Sequence, residues 1–417
     1  MVIEKNINKF ILAIISGLYV FEYTTYGLSI NSMKYVFCIC LLISMYANNK
    51  SYIIRLPRVT MLLFMILCFV ILPILQAISN FEIAIAIYAA VMGIFIFTTY
   101  LVGRTLKTDQ IVNDFITPFA ILGTIIIMIC YIINYQNLFN VSAIMSNFRS
   151  QFALGSVARE RSAFGFMHVN SLGGICMALI IALTMIKSDQ VKSKIVRNIA
   201  IIFMLLIMLN TGSRSSIFGV ICYFAVIICE KIYYNSSVTF KLLFRAFLIG
   251  VGIYLISILA TFLTDNYELA NTLTSGRLEG WIYDLKRMTE DGTLLFGYGQ
   301  YNPSAFFNQP FASGMIVDNW YVFMIINIGM IGFAGCIVII ASMISNLARI
   351  CKFDPQNLLA QKALALVLAN LFHAMAEKAF ITPADPISYL MVIVVFAVVF
   401  AERDAEYEEE NHENCIS

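Results

Sequence analysis

Charge is what this chain has least of. Asp, Glu, Lys and Arg supply 12% of its residues, against roughly 25% in an ordinary soluble protein. Half the usual charge cannot cover a soluble domain, and that class is excluded. The net charge of +2 gives no bulk attraction for nucleic acid, and no nucleic-acid partner is expected. The sequence also lacks a Ser-His-Asp constellation, a zinc motif, a P-loop, a transporter-like pair of broken half-helices and any internal repeat. No pair of carboxylates is spaced for Mg²⁺, which argues against a cation-dependent phosphotransferase. The ten cysteines, among them Cys38, Cys40, Cys68, Cys130 and Cys336, sit mostly inside apolar runs without metal-ligand spacing. They read as small buried hydrophobes, and neither a metal nor a cofactor is implied. No cleavable signal peptide is expected, because the apolar run Phe10 to Ile30 is long enough to stay as a helix.

What the chain does have is apolar length. Its 417 residues are 60% hydrophobic with a mean hydropathy of +0.83, and the apolar residues fall in blocks near the ~20 residues that cross a bilayer. The expectation is an all-α polytopic integral membrane protein, a single membrane domain over 1–417. About twelve spans are expected, at 9–30, 32–47, 59–78, 82–103, 113–135, 163–186, 196–210, 215–233, 243–263, 319–346, 357–376 and 384–402. The second and seventh are short, and the tenth is long enough to contain a break near Gly329 and Gly332. Most of the 27 Lys and Arg gather at 48–58, 104–112, 187–197, 231–242 and 347–356 and near the N-terminus. By the positive-inside rule both termini are then cytoplasmic and the polar stretch 264–318 is a large extracytoplasmic loop. The tail 403–417, with Glu408, Glu409 and Glu410, reads as an acidic, poorly ordered cytoplasmic end.

Some cations lie against that bias, on the outer side: Arg149, Arg159, Arg161, Arg214, Arg277, Lys286, Arg287 and Lys378. An anionic ligand at the outer leaflet is the simplest reason to keep them there. Arg159 and Arg161 stand before the sixth span, near His168 and Asn170, where they can fork onto phosphate oxygens or snorkel to headgroups. Thr211-Gly212-Ser213-Arg214-Ser215-Ser216 joins two spans, either as a capped turn or as an anion site at a helix start. Arg277 and Trp281 fall on a short amphipathic helix with Leu278 and Leu285. There Trp281 is either an interfacial anchor or a platform for a sugar face. Asp318 opens the tenth span, as an N-cap or as a carboxylate that orients or deprotonates an acceptor hydroxyl. His373 and Glu377, four residues apart, share a helix face and can pair. Gly297-Tyr298-Gly299 follows no strand and reads as a tight turn, not as a dinucleotide signature.

In order and placement these motifs resemble the O-antigen ligase and O-antigen polymerase superfamily of bacterial membrane glycosyltransferases. The likeness runs through Arg159…Gly165…Asn170, Thr211-Gly212-Ser213-Arg214, Gly276-Arg277…Trp281, Gly297-Tyr298-Gly299 and Asp318-Asn319…Tyr321, and covers about 150–380. The resemblance implies a multi-pass protein of the bacterial cytoplasmic membrane. Donor and acceptor would be oligosaccharides on undecaprenyl diphosphate at the outer leaflet, joined by a metal-independent, inverting transfer. Flippase and chain-length regulator proteins are the implied protein partners. It assigns catalysis to Asp318, Arg214 and Arg277, and substrate contacts to Arg159, Arg161, Asn170, Asn319, Tyr321, Trp281, His168 and Glu377. Ligases of the superfamily carry a histidine before the Asn at the loop–span junction, where this chain has Asp318. The reading is therefore a polymerase of O-antigen, capsule or exopolysaccharide, with a ligase-type transferase or a flippase as alternatives.

Overall fold

The computed structural model describes residues 2–30, 32–48, 60–106, 108–135, 161–187, 191–234, 277–299 and 317–416, with isolated positions between them. Among these the protein is all-α with no strand. The helices are α1 (Val2–Phe21), α2 (Met33–Asn48), α3 (Thr60–Asn80), α4 (Ile83–Thr105), α5 (Asp109–Ile133) and α6 (Val169–Met185). They continue as α7 (Val191–Thr211), α8 (Arg214–Tyr234), α9 (Arg277–Glu290), α10 (Trp320–Phe353), α11 (Leu358–His373) and α12 (Pro386–Ile416). Six helices among the described residues are long and apolar enough to cross a membrane: α3, α4, α5, α7, α8 and α10. Their outward side chains, such as Leu75, Ile78, Ile83 and Ile87, are apolar and exposed, as lipid contact requires.

Each expected span other than 243–263 meets a helix; that span lies outside the described residues, as do Arg149 and Arg159. Three boundaries differ. The seventh span is not short, since α7 runs from Val191 to Thr211. The first ends at Phe21, and the residues after it form turns ending in the 3-10 turn Leu28–Ile30. The acidic tail, expected to be poorly ordered, continues the α12 helix to Ile416, because Ala, Glu and Arg favour helix.

Two helices pass a proline in the same way. A π turn at Leu67–Ile71 precedes Pro73, and another at Val112–Ile116 precedes Pro118. Proline lacks the amide for the usual bond and its ring crowds the carbonyl four residues back. One widened turn moves that carbonyl aside and lets the helix continue.

At the centre stands α12. Residues Ile387 to Phe400 are buried all round, which suits a helix apolar on every face. Its start is fixed by Asp385, whose Oδ1 accepts from the amides of Ile387 at 2.8 Å and Ser388 at 3.2 Å. Pro386 follows at the first helical position, where no amide is needed. Helix α12 packs on α4, α6, α10 and α11, and α8 packs on α11.

The break expected in the tenth span is at Gly329, with φ 67° and ψ −175°. It opens the α10 ladder, and the segment 294–299 closes the gap. Met330 and Ile331 donate to the carbonyls of Leu294 at 2.9 Å and Leu295 at 3.2 Å. In return Tyr298 and Gly299 donate to those of Ile326 at 2.8 Å and Asn327 at 3.0 Å. Gln76, from α3, also donates to the Asn327 carbonyl at 3.0 Å. Gly297 faces Gly329 at van der Waals range, so the Gly297-Tyr298-Gly299 motif is the seat of the broken helix. A Cβ at 329 would lie 2.2 Å from the Leu295 carbonyl oxygen, on top of a left-handed φ. Gly329→Ala should therefore cost at least about 1–3 kcal/mol. Thermal unfolding in detergent checks this, and an unshifted midpoint would contradict the interlock.

Candidate functional site

The candidate residues meet at one end of the bundle, where α6, α8, α9 and α10 begin and α11 ends. Arg277 is the first residue of α9, and its Nη2 lies 2.7 Å from Oδ2 of Asp318. Side chains at this pair are 34% and 25% exposed, so both reach solvent without being bathed in it. Asp318 is free for this contact because Asn319 caps α10 instead, its Oδ1 accepting from the Val322 amide at 3.1 Å. The carboxylate thus stands one residue outside the cap and points back at α9.

Asn319 and Tyr321, expected to meet sugar, are occupied with the backbone. Nδ2 of Asn319 donates to the Met375 carbonyl at 2.8 Å, and the Tyr321 hydroxyl to that of Leu371 at 2.8 Å. The Trp320 amide donates to the Ala374 carbonyl at 2.9 Å. Together they stitch the start of α10 to the end of α11.

The second half of the site is Arg161, His168, Asn170 and Glu377. Arg161 donates through Nε to the Thr211 carbonyl at 2.9 Å, and through Nη2 to Oδ1 of Asn170. The Thr211-Gly212-Ser213-Arg214 turn therefore stands behind Arg161, and half-buried Arg214 is the first residue of α8. His168 caps α6, its Nδ1 accepting from the Asn170 amide at 3.2 Å. Gly173 lets α6 and α8 touch, since a Cβ there would lie 2.6 Å from Ser213 Cβ.

His373 and Glu377 do not share a helix face. Helix α11 ends at His373, whose Nε2 is 3.3 Å from the Ser216 hydroxyl. Glu377 lies beyond, on the connection 374–385. The 379–383 part of that connection is buried and contorted: β-branched Ile381 is held at φ 47°, a conformation kept only where the surroundings enforce it.

Electrostatics bind the two halves together. Burial raises Glu377 to about 8; the Asp318 charge adds to this, and Arg277 opposes it. Burial likewise lowers Lys378, which Asp318 and Glu377 partly restore. His168 is lowered by burial and by Arg161. Lys378 also lies 5.1 Å from the Phe323 ring centroid. Trp281 packs half-buried against the core, and its indole N–H has no acceptor among the described residues.

The turn after α1 joins both walls. On one side, Thr24 pairs antiparallel with Phe166, Met167 donates to the Tyr23 carbonyl at 2.9 Å, and Thr25 to that of Gly165 at 2.9 Å. On the other, the hydroxyls of Tyr19 and Tyr23 donate to the carbonyls of Pro383 at 2.9 Å and Ala384 at 3.3 Å. Buried Lys34 pairs with Glu22 and reaches the Ala384 carbonyl at 3.4 Å. Sequence reasoning passed over Glu22 and Lys34; the signal was a charge inside each of two otherwise apolar runs.

Set against known protein families and against curated proteins, the chain matches none.

Proposed function

We propose that this protein is a polysaccharide polymerase of the bacterial cytoplasmic membrane. It joins oligosaccharide repeat units carried on undecaprenyl diphosphate, at the outer leaflet, into O-antigen, capsule or exopolysaccharide. In this reading the chain spans the membrane about twelve times with both termini in the cytoplasm. The observation that supports it most is the ion pair of Arg277 and Asp318 beside Arg161, Asn170 and Glu377, at one end of an apolar bundle. Guanidinium groups suit a diphosphate, which they meet with paired donors. Carboxylates beside them suit an acceptor hydroxyl that must lose its proton.

In this reading the roles divide among the residues of the site. Arg277 and Arg214 meet charge as it develops on the departing lipid diphosphate, which is the largest kind of contribution a fixed cation makes. Arg161 holds Asn170 toward the acceptor side. Asn319 and Tyr321 fix the junction that presents Asp318. Trp281 offers a stacking platform to a sugar face from α9.

The test is purified protein in detergent with a defined undecaprenyl-diphosphate repeat unit, in EDTA, followed by mass analysis. A ladder spaced by one repeat unit is the expected product. One transfer only, onto a lipid A core acceptor, would make it a ligase-type transferase. No product, with lipid-linked substrate crossing reconstituted vesicles, would make it a flippase. Activity that appears only with added Mg²⁺ would overturn the metal-independent mechanism.

A further inference from the structure

Behind the candidate site stands a series of polar side chains that the proposed chemistry does not use. Thr211, Ser213, Ser216 and His373 are each no more than 2% exposed. The Ser213 amide donates to Oγ1 of Thr211 at 3.2 Å, and the hydroxyls of Ser213 and Ser216 are 2.9 Å apart. The Ser216 hydroxyl is in turn 3.3 Å from Nε2 of His373. A nucleophile has to meet substrate, and hydroxyls this deeply covered do not. The other ring nitrogen of His373, Nδ1, is buried with no partner among the described residues. The ring is therefore oriented through Ser216, because a buried polar group left without any partner is disfavoured.

The series ties together two helix ends that serve opposite halves of the site. At the start of α8, the Thr211 carbonyl accepts from Nε of Arg161 at 2.9 Å, and the Asn210 carbonyl from the Ser162 amide at 3.1 Å. At the end of α11, the residues directly after His373 hold the start of α10. The Ala374 carbonyl accepts from the Trp320 amide at 2.9 Å, and that of Met375 from Nδ2 of Asn319 at 2.8 Å. Asp318 is the next residue back, and its carboxylate meets Arg277 at 2.7 Å. The Ala376 amide closes the turn onto the His373 carbonyl at 3.1 Å, so this turn moves with His373.

Helix α6 leaves the space that the series fills. A Cβ at Gly173 would lie 2.9 Å from the hydroxyl oxygens of both Ser213 and Ser216. One at Gly174 would lie 3.4 Å from Cε1 of His373.

We propose that Ser216 and His373 are positioning residues: they fix the end of α11 against the start of α8, and so set the Arg277–Asp318 pair relative to Arg161. The proposal rests on the glycan-transfer reading above. Neither residue touches substrate. Their leverage is geometric, since a misplacement of about 1 Å that begins far from the chemistry can cost about 10²-fold in rate.

The experiment measures kcat and KM for polymerisation of a defined undecaprenyl-diphosphate repeat unit. The proteins are wild type, Ser216→Ala, His373→Ala, His373→Gln, Gly173→Ala and the Ser216→Ala/His373→Ala double variant. Fluorescence is the second readout. The chain has two tryptophans, so in a Trp281→Phe background the emission comes from Trp320 alone, which is fully buried at the α10 start. Ser216→Ala and His373→Ala should each lower kcat by about 10- to 10²-fold. KM should stay within about threefold, because the cations that meet the diphosphate remain. Trp320 emission should move to longer wavelength and become easier to quench, at temperatures well below unfolding. His373→Gln, whose amide can reach Ser216, should recover most of kcat and the wild-type emission. The double variant should be little worse than His373→Ala, as expected of one unit. Gly173→Ala crowds both hydroxyls without touching Arg277 or Asp318, and should repeat the effect of Ser216→Ala. If His373→Ala does not fold, Ser216→Ala decides, since it deletes a single oxygen. A Ser216→Ala protein within about twofold of wild type in kcat, or a loss of kcat with Trp320 emission unchanged, would overturn the proposal. Wild-type protein inert in transfer would instead overturn the glycan-transfer reading, with the emission still reporting whether His373 holds the start of α10.

Discussion

Arg277→Ala should lower polymerisation by about 10²- to 10³-fold in kcat, the loss that follows removal of one fixed donor from developing negative charge. The contact it makes in the resting protein is with Asp318 at 2.7 Å, so the substitution has two effects. It removes the cation proposed to meet the diphosphate, and it leaves Asp318 without its partner. Arg277→Lys separates them, because lysine keeps the charge and loses the fork. Its rate should fall between wild type and alanine. Residues that act as one unit are not additive, so Arg277→Ala combined with Asp318→Asn should be little worse than Arg277→Ala by itself. Turnover of a synthetic repeat unit measures all of these. Equal rates in wild type and Arg277→Ala, with normal polymer length, would remove α9 from the site altogether.

The largest expected effect on stability lies elsewhere, at Lys34 and Glu22. Their side chains are 2% and 9% exposed, and they hold each other between α1 and α2. Lys34 is also 4.5 Å from the Tyr19 ring centroid and reaches the Ala384 carbonyl. Deleting one member leaves a buried charge without its partner, which costs about 3–5 kcal/mol. Lys34→Met and Glu22→Gln should each lower the unfolding midpoint in detergent by many degrees. The double variant Lys34→Met with Glu22→Leu should recover most of the loss, since an apolar pair of similar volume replaces an ion pair at little cost. If the double variant is as unstable as the singles, the pair is held for a reason other than mutual neutralisation. Activity is the second readout, because the same turn grips both the 165–167 wall and the 383–384 corner.

How much of this was legible in the sequence depends on whether the cause is local. Helices follow from apolar blocks, and the break at Gly329 follows from a run too long for one span that carries glycines. Its counterpart was less legible. Nothing in Gly297-Tyr298-Gly299 says that a loop segment will bond to a helix beginning some twenty residues later, yet that pairing explains both glycine positions. The cap of α10 shows the same limit. Asp318 and Asn319 are equally good capping types, and only the register at Val322 together with the position of Arg277 decides that Asn319 caps. Glu22 and Lys34 were hidden for another reason. Each sits in a stretch whose average is apolar, and their pairing depends on a turn that a hydropathy window smooths into helix. The contacts of Arg161 with Thr211 and of Arg277 with Asp318 join residues far apart in the chain, so spacing alone could not reveal them.

The interlock at Gly329 has a consequence for how the protein assembles. In lipid there is no water to satisfy an opened helix ladder, so the carbonyls of Ile326 and Asn327 and the amides of Met330 and Ile331 need the segment 294–299. Neither half of α10 can be complete before that segment is seated, and the segment has no register of its own without α10. The two therefore form a single cooperative unit. Amide exchange should report it: Tyr298, Gly299, Met330 and Ile331 are expected to open together with one protection factor, despite lying in a connection and in a helix.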